Sequence, residues 1–216
     1  MMSLPKFERR DDAVGRKNGV YYNTPEGIRL PSVSKALSEF YPEKKVSLEE
    51  WRKRIGYEEA DRISNVARNR GHQLHDLLEK YLIKSTDVGK ITPTCFELFK
   101  QVKPIIDDNV GEVFLQEAPL WSHKYNLAGR IDLLTNWSSV LSTVDFKNSI
   151  KPKRLEWIQD YFLQTTAYSL MIEEVYGVKV TQNVILIAVV EDPSPQVFIN
   201  NPQEMKNHEF FTSRLS

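Results

Sequence analysis

Three residues near the middle of the chain, Asp132, Asp145 and Lys147, have types and spacing suited to phosphodiester chemistry. Asp145 and Lys147 flank Phe146 in STVDFKNS, residues 142–149. Side chains alternate along a strand, so the acid and the amine project from one face and Phe146 from the other. The stretch AGRIDLLTNWSSVLSTVDFK has the form of a hairpin turning at residues 136–139. In a symmetric, unbulged hairpin, opposed residues have numbers summing to about 277, which sets Asp132 across from Asp145. Opposed Cβ atoms lie about 4.5–5.5 Å apart, and two carboxylates there repel unless a cation neutralises them. Oxygen ligands with open water positions suit Mg2+ or Mn2+. Lys147, one step along the same face, is placed to hold a phosphate or to stabilise a nucleophilic water beside the metal. The plain alternative is a strand whose acids lie on an exposed, solvated sheet face.

The elements that must position these residues follow from pattern. GVYYNTPEGIRLPSV reads as two short strands around a Pro and Gly turn, with Ser32 or Ser34 capping the helix that follows. From Leu48 to Leu82 the period is helical, interrupted at Gly56, and TPTCFELFKQVKPII is a further helix capped by Thr92 with Pro93 at its first position. The period then changes. EVFLQEAPLW, YNLAGRIDLL and SVLSTVDFK are strand-like, LEWIQDYFLQTTAYSLMIEEVYG is a long amphipathic helix, and NVILIAVV and PQVFIN are strands again. The expected fold is α/β, a mixed central sheet flanked by helices, in one domain over residues 1–216: an N-terminal hairpin and helices over 19–110, then a sheet and helix over 111–200.

Several further residues are candidates. His75 and Glu79 share a helical face, with His72 one turn before, an arrangement that either holds a metal or is structural. Glu117 alternates with Leu115, which leaves its face open. Gln164 and Tyr168 stack on a helical face continued by Trp157, Tyr161, Met171 and Val175. That stripe is mainly core, and a buried Gln164 needs a partner, because an unpaired amide costs about 1–3 kcal/mol. Tyr161 and Trp157 are also candidates for stacking on unpaired bases.

Lys and Arg balance Asp and Glu at 29 each, so binding to a polyanion would rely on local patches. KNSIKPKR, residues 147–154, has four basic residues and no acid, and GRK at 15–17 is a second patch. The longest apolar run, VILIAVV, has the length of a buried strand and not of a membrane span. MMSLPKFERRDD lacks the apolar core of a secretory signal, which favours a cytoplasmic protein without membrane association. Cys95 is the one cysteine, which excludes a four-cysteine zinc or iron–sulfur site.

GRID, then DFK, then QTTAY, with RGHQLHDLLEKYL and QEAPLW upstream, together resemble the PD-(D/E)xK nuclease superfamily, in particular its RecB-like branch. LPSVS, W…RIGYEEADRISNVARNRG and VDFKNSIKPK are most similar to the mitochondrial genome maintenance exonuclease group and its phage and bacterial relatives; the likeness runs from about Gly19 to Gly177. It implies a metal-dependent DNA exonuclease that prefers single strands; separately, the chain is expected to be a monomer. Asp132 and Asp145 would be metal ligands, His75 a further ligand or near neighbour, Lys147 the catalytic lysine, and Glu117, Gln164 and Tyr168 supporting residues. Apart from the resemblance, Ser32 or Ser34 at a helix start and Lys151, Lys153 and Arg154 after the catalytic strand are the expected phosphate contacts. Asn148-Ser149 departs from the Thr-Ser that more often follows the lysine in relatives. A flap endonuclease is the rival within the same chemistry, and a non-catalytic DNA-binding module the rival outside it.

Overall fold

The computed structural model describes residues 4–10, 15–17, 20–87 and 89–215, with backbone alone at 15–17. The side chains of the basic patch at 15–17, and Gly19 at the expected start of the hairpin, lie outside it. A small antiparallel sheet comes first, with strands β1 (Gly15–Lys17), β2 (Tyr21–Asn23) and β3 (Arg29–Pro31). Helices α1 (Val33–Phe40), α2 (Pro42–Ile55), α3 (Tyr57–Leu82) and α4 (Pro93–Asn109) follow. Ser32 caps α1 by accepting the Lys35 N–H, and Thr92 caps α4 by accepting that of Cys95.

The main sheet has strands β4 (Val110–Ser122), β5 (Leu127–Trp137), β6 (Val140–Ser149), β7 (Gln182–Val189) and β8 (Gln196–Asn200), in that spatial order. All neighbours are antiparallel except β6 and β7, whose parallel pairing requires the crossover supplied by α5 (Gln159–Tyr176). Short helices α6 (Pro202–Met205) and α7 (Glu209–Thr212) close the chain. Sequence pattern missed both, although Phe210 and Phe211 of α7 are fully buried.

Helices cover the two faces of the sheet. On one, Leu74, Leu78, Leu98 and Ile106 of α3 and α4 pack on Leu133, Val144, Phe146 and Leu186. On the other, α1, α5 and α7 pack on Leu127, Ile131 and Leu134, and Ile158 and Phe162 pack on Ile185 and Ile187. α5 differs from the expected amphipathic helix: Thr165 through Ile172 are all buried, so the helix runs through the core. Its polar residues are matched by Asn183 of β7, which accepts from Thr143 and Ser169 and donates to Thr166. Trp157 leaves the expected stripe, because residues 155–157 form a separate 3-10 turn and the indole is 55% exposed. Among the described residues, no helix is long and apolar enough to cross a membrane.

α2 begins earlier than the pattern suggested, and it buries none of its residues. The chain turns at Gly56 (φ 90°) into α3, which buries nothing between Ala60 and Arg70. The two segments brace each other through Arg52 to Asp61 and Tyr57 to Glu49. The result is a helical hairpin standing clear of the core. One foot is held by the Lys44–Asp160 ion pair to α5, and the other by the Arg70 Nε–H donating to Asn148 Oδ1 of β6 at 2.6 Å.

Candidate active site

The β5–β6 turn is formed by Ser138 and Ser139, both with positive φ (49° and 68°), a two-residue connection whose twist matches that of the strands. Ser138 is held there by bonds to Asn109 from both its backbone N–H and its hydroxyl. The register follows the expected sum, from Trp137↔Val140 to Leu133↔Val144, and stops one pair short of Asp132 and Asp145. Beyond that point Asp132 Oδ2 accepts the Phe146 N–H at 2.8 Å, so a carboxylate takes the place of a backbone carbonyl. The β4–β5 ladder also has no pair between Gln116↔Leu133 and Ala118↔Ile131. There Glu117 adopts φ +45°, a left-handed conformation that costs a residue with a side chain of order 1–3 kcal/mol. Leu115 and Ala118 both pack in the α1–α5 core, as do Leu134 and Ile131, so the two-residue alternation slips in both strands at Glu117 and Asp132. Glu117 and Asp132 are the opposed pair missing from the ladder, and this local break turns both acids off the α1–α5 side to the point where His75 stands.

His75 meets them from α3. Its Nε2 lies 2.8 Å from the Phe146 carbonyl, while Nδ1 lies 3.5 Å from Glu117 Oε1 and 3.7 Å from Asp132 Oδ2. One ligand atom from each of His75, Glu117 and Asp132 lies within 4.8 Å of the others, the one such cluster found among the described residues. Asp145 lies beside it, and the plain alternative of a solvated face does not hold: the residue is 1% exposed. Lys147 Nζ forms an ion pair with Asp145 Oδ2, and Asp145 Oδ1 has no partner among the described residues. The ammonium also lies 5.3 Å from the centre of the Tyr161 ring, so Tyr161 holds Lys147 and is not a free stacking platform.

Electrostatics reflect this crowding. Burial raises the pKa of Asp132 against the pull of His75 and Lys147. Burial, only partly offset by Lys147, pushes Asp145 up to about 6. Burial opposes charge on His75, yet Asp132 and Glu117 outweigh it and push the imidazole up to about 9. Lys147 is likewise desolvated but held above the ordinary lysine value by Asp145 and Asp132. Three acids thus face two cations, a donor set with capacity for a further positive charge.

Gln164 and Tyr168 stand one turn apart in the middle of α5. Burial raises the Tyr168 pKa while its bond with Gln164 lowers it, and Asp132 and Asp145 raise it further. The ring fills the space over Gly129, where an added Cβ would stand 2.7 Å from Cε1 and 2.9 Å from the hydroxyl. The glycine of GRID is therefore a packing requirement of the site.

The expected phosphate contacts divide. Ser32 is buried and its oxygen serves the α1 cap, whereas Ser34 is exposed. Lys151 and Arg154 are exposed but lie 3.9 and 3.8 Å from Glu191 and Glu156, acids outside the short basic run. Lys153 is anchored by its backbone, which exchanges bonds with Gln196. The guanidinium of Arg154 lies 5.2 Å from the exposed Trp157 ring. His72 is exposed and away from the cluster, and Glu79 is not part of it.

The sequence alone assigns no contact to Arg70, Asn148 or Arg130. Asn148 accepts from Arg70 and sits so close to Gly71 that a Cβ there would meet its Nδ2 at 3.0 Å. The departure from Thr-Ser after the lysine thus joins β6 to α3 just before His75. Arg130 Nη1 lies 4.0 Å from Glu117 Oε2. The RG before the helix histidine and the Arg inside GRID were the available signals.

A profile of the PD-(D/E)XK nuclease superfamily matches residues 35–214. No curated protein matches the chain significantly. The profile spans α1 through the end of α7 and takes in the five-stranded sheet with every member of the cluster, so the chain belongs to the PD-(D/E)XK nuclease superfamily.

Proposed function

We propose that the chain is a deoxyribonuclease that uses Mg2+ or Mn2+ to degrade single-stranded DNA from a free end. The observation that carries this reading is the convergence of His75 Nδ1 with Glu117 and Asp132 beside a buried Asp145–Lys147 pair. The donor set fits a hard divalent ion: carboxylate oxygens dominate, one imidazole nitrogen joins them, and a buried Asp145 oxygen lacks a partner. Such an ion, when bound, stabilises charge on the phosphoryl oxygens and lowers the pKa of the attacking water.

The chain's own residues do the rest. The Phe146 carbonyl holds His75 Nε2, which aims Nδ1 at the ligand point, and the Phe146 N–H fixes the Asp132 carboxylate. Asp145 and Asp132 keep Lys147 protonated, so its role is to place positive charge against the charge developing at phosphorus and to orient the water, not to remove a proton. Tyr168 and Gln164 support the carboxylate side. Ser34, Lys151, Lys153 and Arg154, with the exposed Trp157, line the path proposed for the strand. The motifs around LPSVS and VDFKNSIKPK support a place in the RecB-like branch, near the mitochondrial genome maintenance exonucleases.

Dependence on an end is supported by the α2–α3 hairpin. Its two arms, 14 residues each, rise about 21 Å at 1.5 Å per residue. Their feet stand on α5 at Asp160 and on β6 at Asn148, next in sequence to Tyr161 and Lys147, whose side chains meet. A strand entering beneath such an arch must be threaded. Linear single-stranded DNA is expected to be degraded in Mg2+ while a closed circle of the same sequence survives. Rapid linearisation of the circle would favour a flap or other endonuclease, and binding without metal-dependent cleavage of any DNA would favour a non-catalytic module.

A further inference from the structure

A second polar site lies on α3, little more than one turn before His75. Arg70 is 9% exposed, and burial lowers its pKa with no carboxylate acting to restore it. Its Nε–H donates to Asn148, and among the described residues its two Nη groups have no acceptor. Arg70 lines a cavity of about 320 Å³ bounded also by Val66, Asn69, Gln73, Thr92 and Thr94, none of them acidic.

The other wall is the first turn of α4, a 17-residue helix. Helix N-termini present unsatisfied N–H groups and partial positive charge. Here Thr92 occupies its hydroxyl in the cap, Pro93 has no N–H, and the Thr94 N–H has no acceptor among the described residues. Gln73 Oε1 accepts from both the Thr92 N–H and hydroxyl, which ties the turn to α3 and leaves the Gln73 amide NH2 as a further donor. A buried guanidinium, a helix N-terminus and an amide donor, with no acid in the cavity lining and Asp76 near enough to act on Cys95 of the same turn, make a site for an anion.

We propose that Arg70 and the first turn of α4 form a phosphate-binding subsite that grips the nucleic-acid strand beside the metal cluster. The placement suits this role: Arg70 is five residues from His75, about 7.5 Å along the helix axis, and its partner Asn148 directly follows Lys147. The strand's part in this inference rests on the nuclease reading, whereas the anion site rests on the cavity alone. The phosphate is either an internal backbone phosphate or a terminal one.

The test uses the full chain in two measurements. Inorganic phosphate is titrated against labelled protein and followed by NMR at the Thr94 and Cys95 amides and the Arg70 side chain. Equilibrium binding of single-stranded oligonucleotides with a 5′-phosphate, a 3′-phosphate or neither is then measured in EDTA over a range of salt. Wild type is expected to give saturable phosphate shifts that vanish in Arg70→Gln and in Thr94→Glu. Both variants should bind the oligonucleotides about tenfold more weakly and lower the salt slope by about 0.7. Thr94 is exposed and an acid in a first helical turn is favourable, so the second variant keeps the fold if the first does not. Equal loss for all three strands identifies a backbone phosphate, and loss confined to one phosphorylated strand a terminal one. Absence of phosphate shifts in wild type overturns the subsite. Shifts with an unchanged slope in both variants make it a site for an adventitious ion only and overturn its role on the strand. Phosphate shifts in a wild-type protein that binds no oligonucleotide overturn the nucleic-acid reading itself.

Discussion

His75 Nε2 lies 2.8 Å from the carbonyl oxygen of Phe146, and this bond between α3 and β6 turns Nδ1 toward Glu117 and Asp132. The ring is thereby committed before any ion arrives. In its protonated form it fills the gap between the acids with its own charge, and in its neutral form it offers a lone pair at the same point. Proton and metal compete for one nitrogen.

That competition sets a pH dependence. Burial opposes the proton, but Asp132 and Glu117 hold it up to about pH 9. Metal affinity is expected to rise with pH through that value, with proton release on binding below it. Because the folded pKa lies above the ordinary 6.5, His75 contributes stability to the metal-free protein that is full below about pH 6.5 and lost as pH rises through about 9. Calorimetric titration of Mn2+ at pH 7.5 in buffers of different ionisation enthalpy checks this. Wild type should release close to one more proton per ion than His75→Gln, and equal release from both would remove His75 from the ligand set.

Lys147→Ala should lower turnover by roughly 10²–10³ at saturating metal, the scale of losing one charge-stabilising group. Metal affinity should hold or improve, because the ammonium paired with Asp145 no longer competes with the ion. Turnover at saturating Mg2+ and the metal dissociation constant are the two measurements. Unchanged turnover with lost affinity would mean that the lysine organises the ligands instead of acting on the phosphate.

Gly129→Ala should lower stability by about 1–3 kcal/mol through overpacking against Tyr168, read as a fall in melting temperature. Tyr168→Leu should partly relieve it, so the double variant loses less than the sum of the single losses. Strict additivity would show that the strand shifts to admit the methyl group and that the close approach does not constrain the site.

The hairpin carrying Asp132 and Asp145 was legible because its turn is two residues long and its strands alternate cleanly from Trp137 to Leu133. The legibility ends where the alternation does. Period two places Asp132 opposite Asp145 and leaves the face of Glu117 open, while the positive φ at Glu117 and the slip at Asp132 bring those two acids to His75. Nothing local in QEAPLW signals that conformation, since it is imposed by the packing of β4 on β5. Asp145 on a wet face was the natural reading of one strand; its burial comes from α5, a helix covered on most sides whose polar Thr165, Thr166 and Ser169 mimic an exposed stripe. The basic run at 147–154 looked free of acids because Glu191, which meets Lys151, is distant in the chain. Arg70 and Asn148, 78 residues apart, find each other only in the fold.

The most direct test of the account is Mg2+-dependent cleavage of end-labelled linear single-stranded DNA by wild type and by Asp145→Asn. The substitution keeps the volume of a buried residue and removes the carboxylate shared by the proposed metal and Lys147. Loss of a supporting partner to a metal ligand costs about 10–100-fold, so loss of this carboxylate is expected to exceed about 100-fold while DNA binding in EDTA remains. Wild type that cleaves in Mg2+ and is silent in EDTA, with Asp145→Asn silent in both, is the predicted result. Cleavage by Asp145→Asn at a rate comparable to wild type would contradict it.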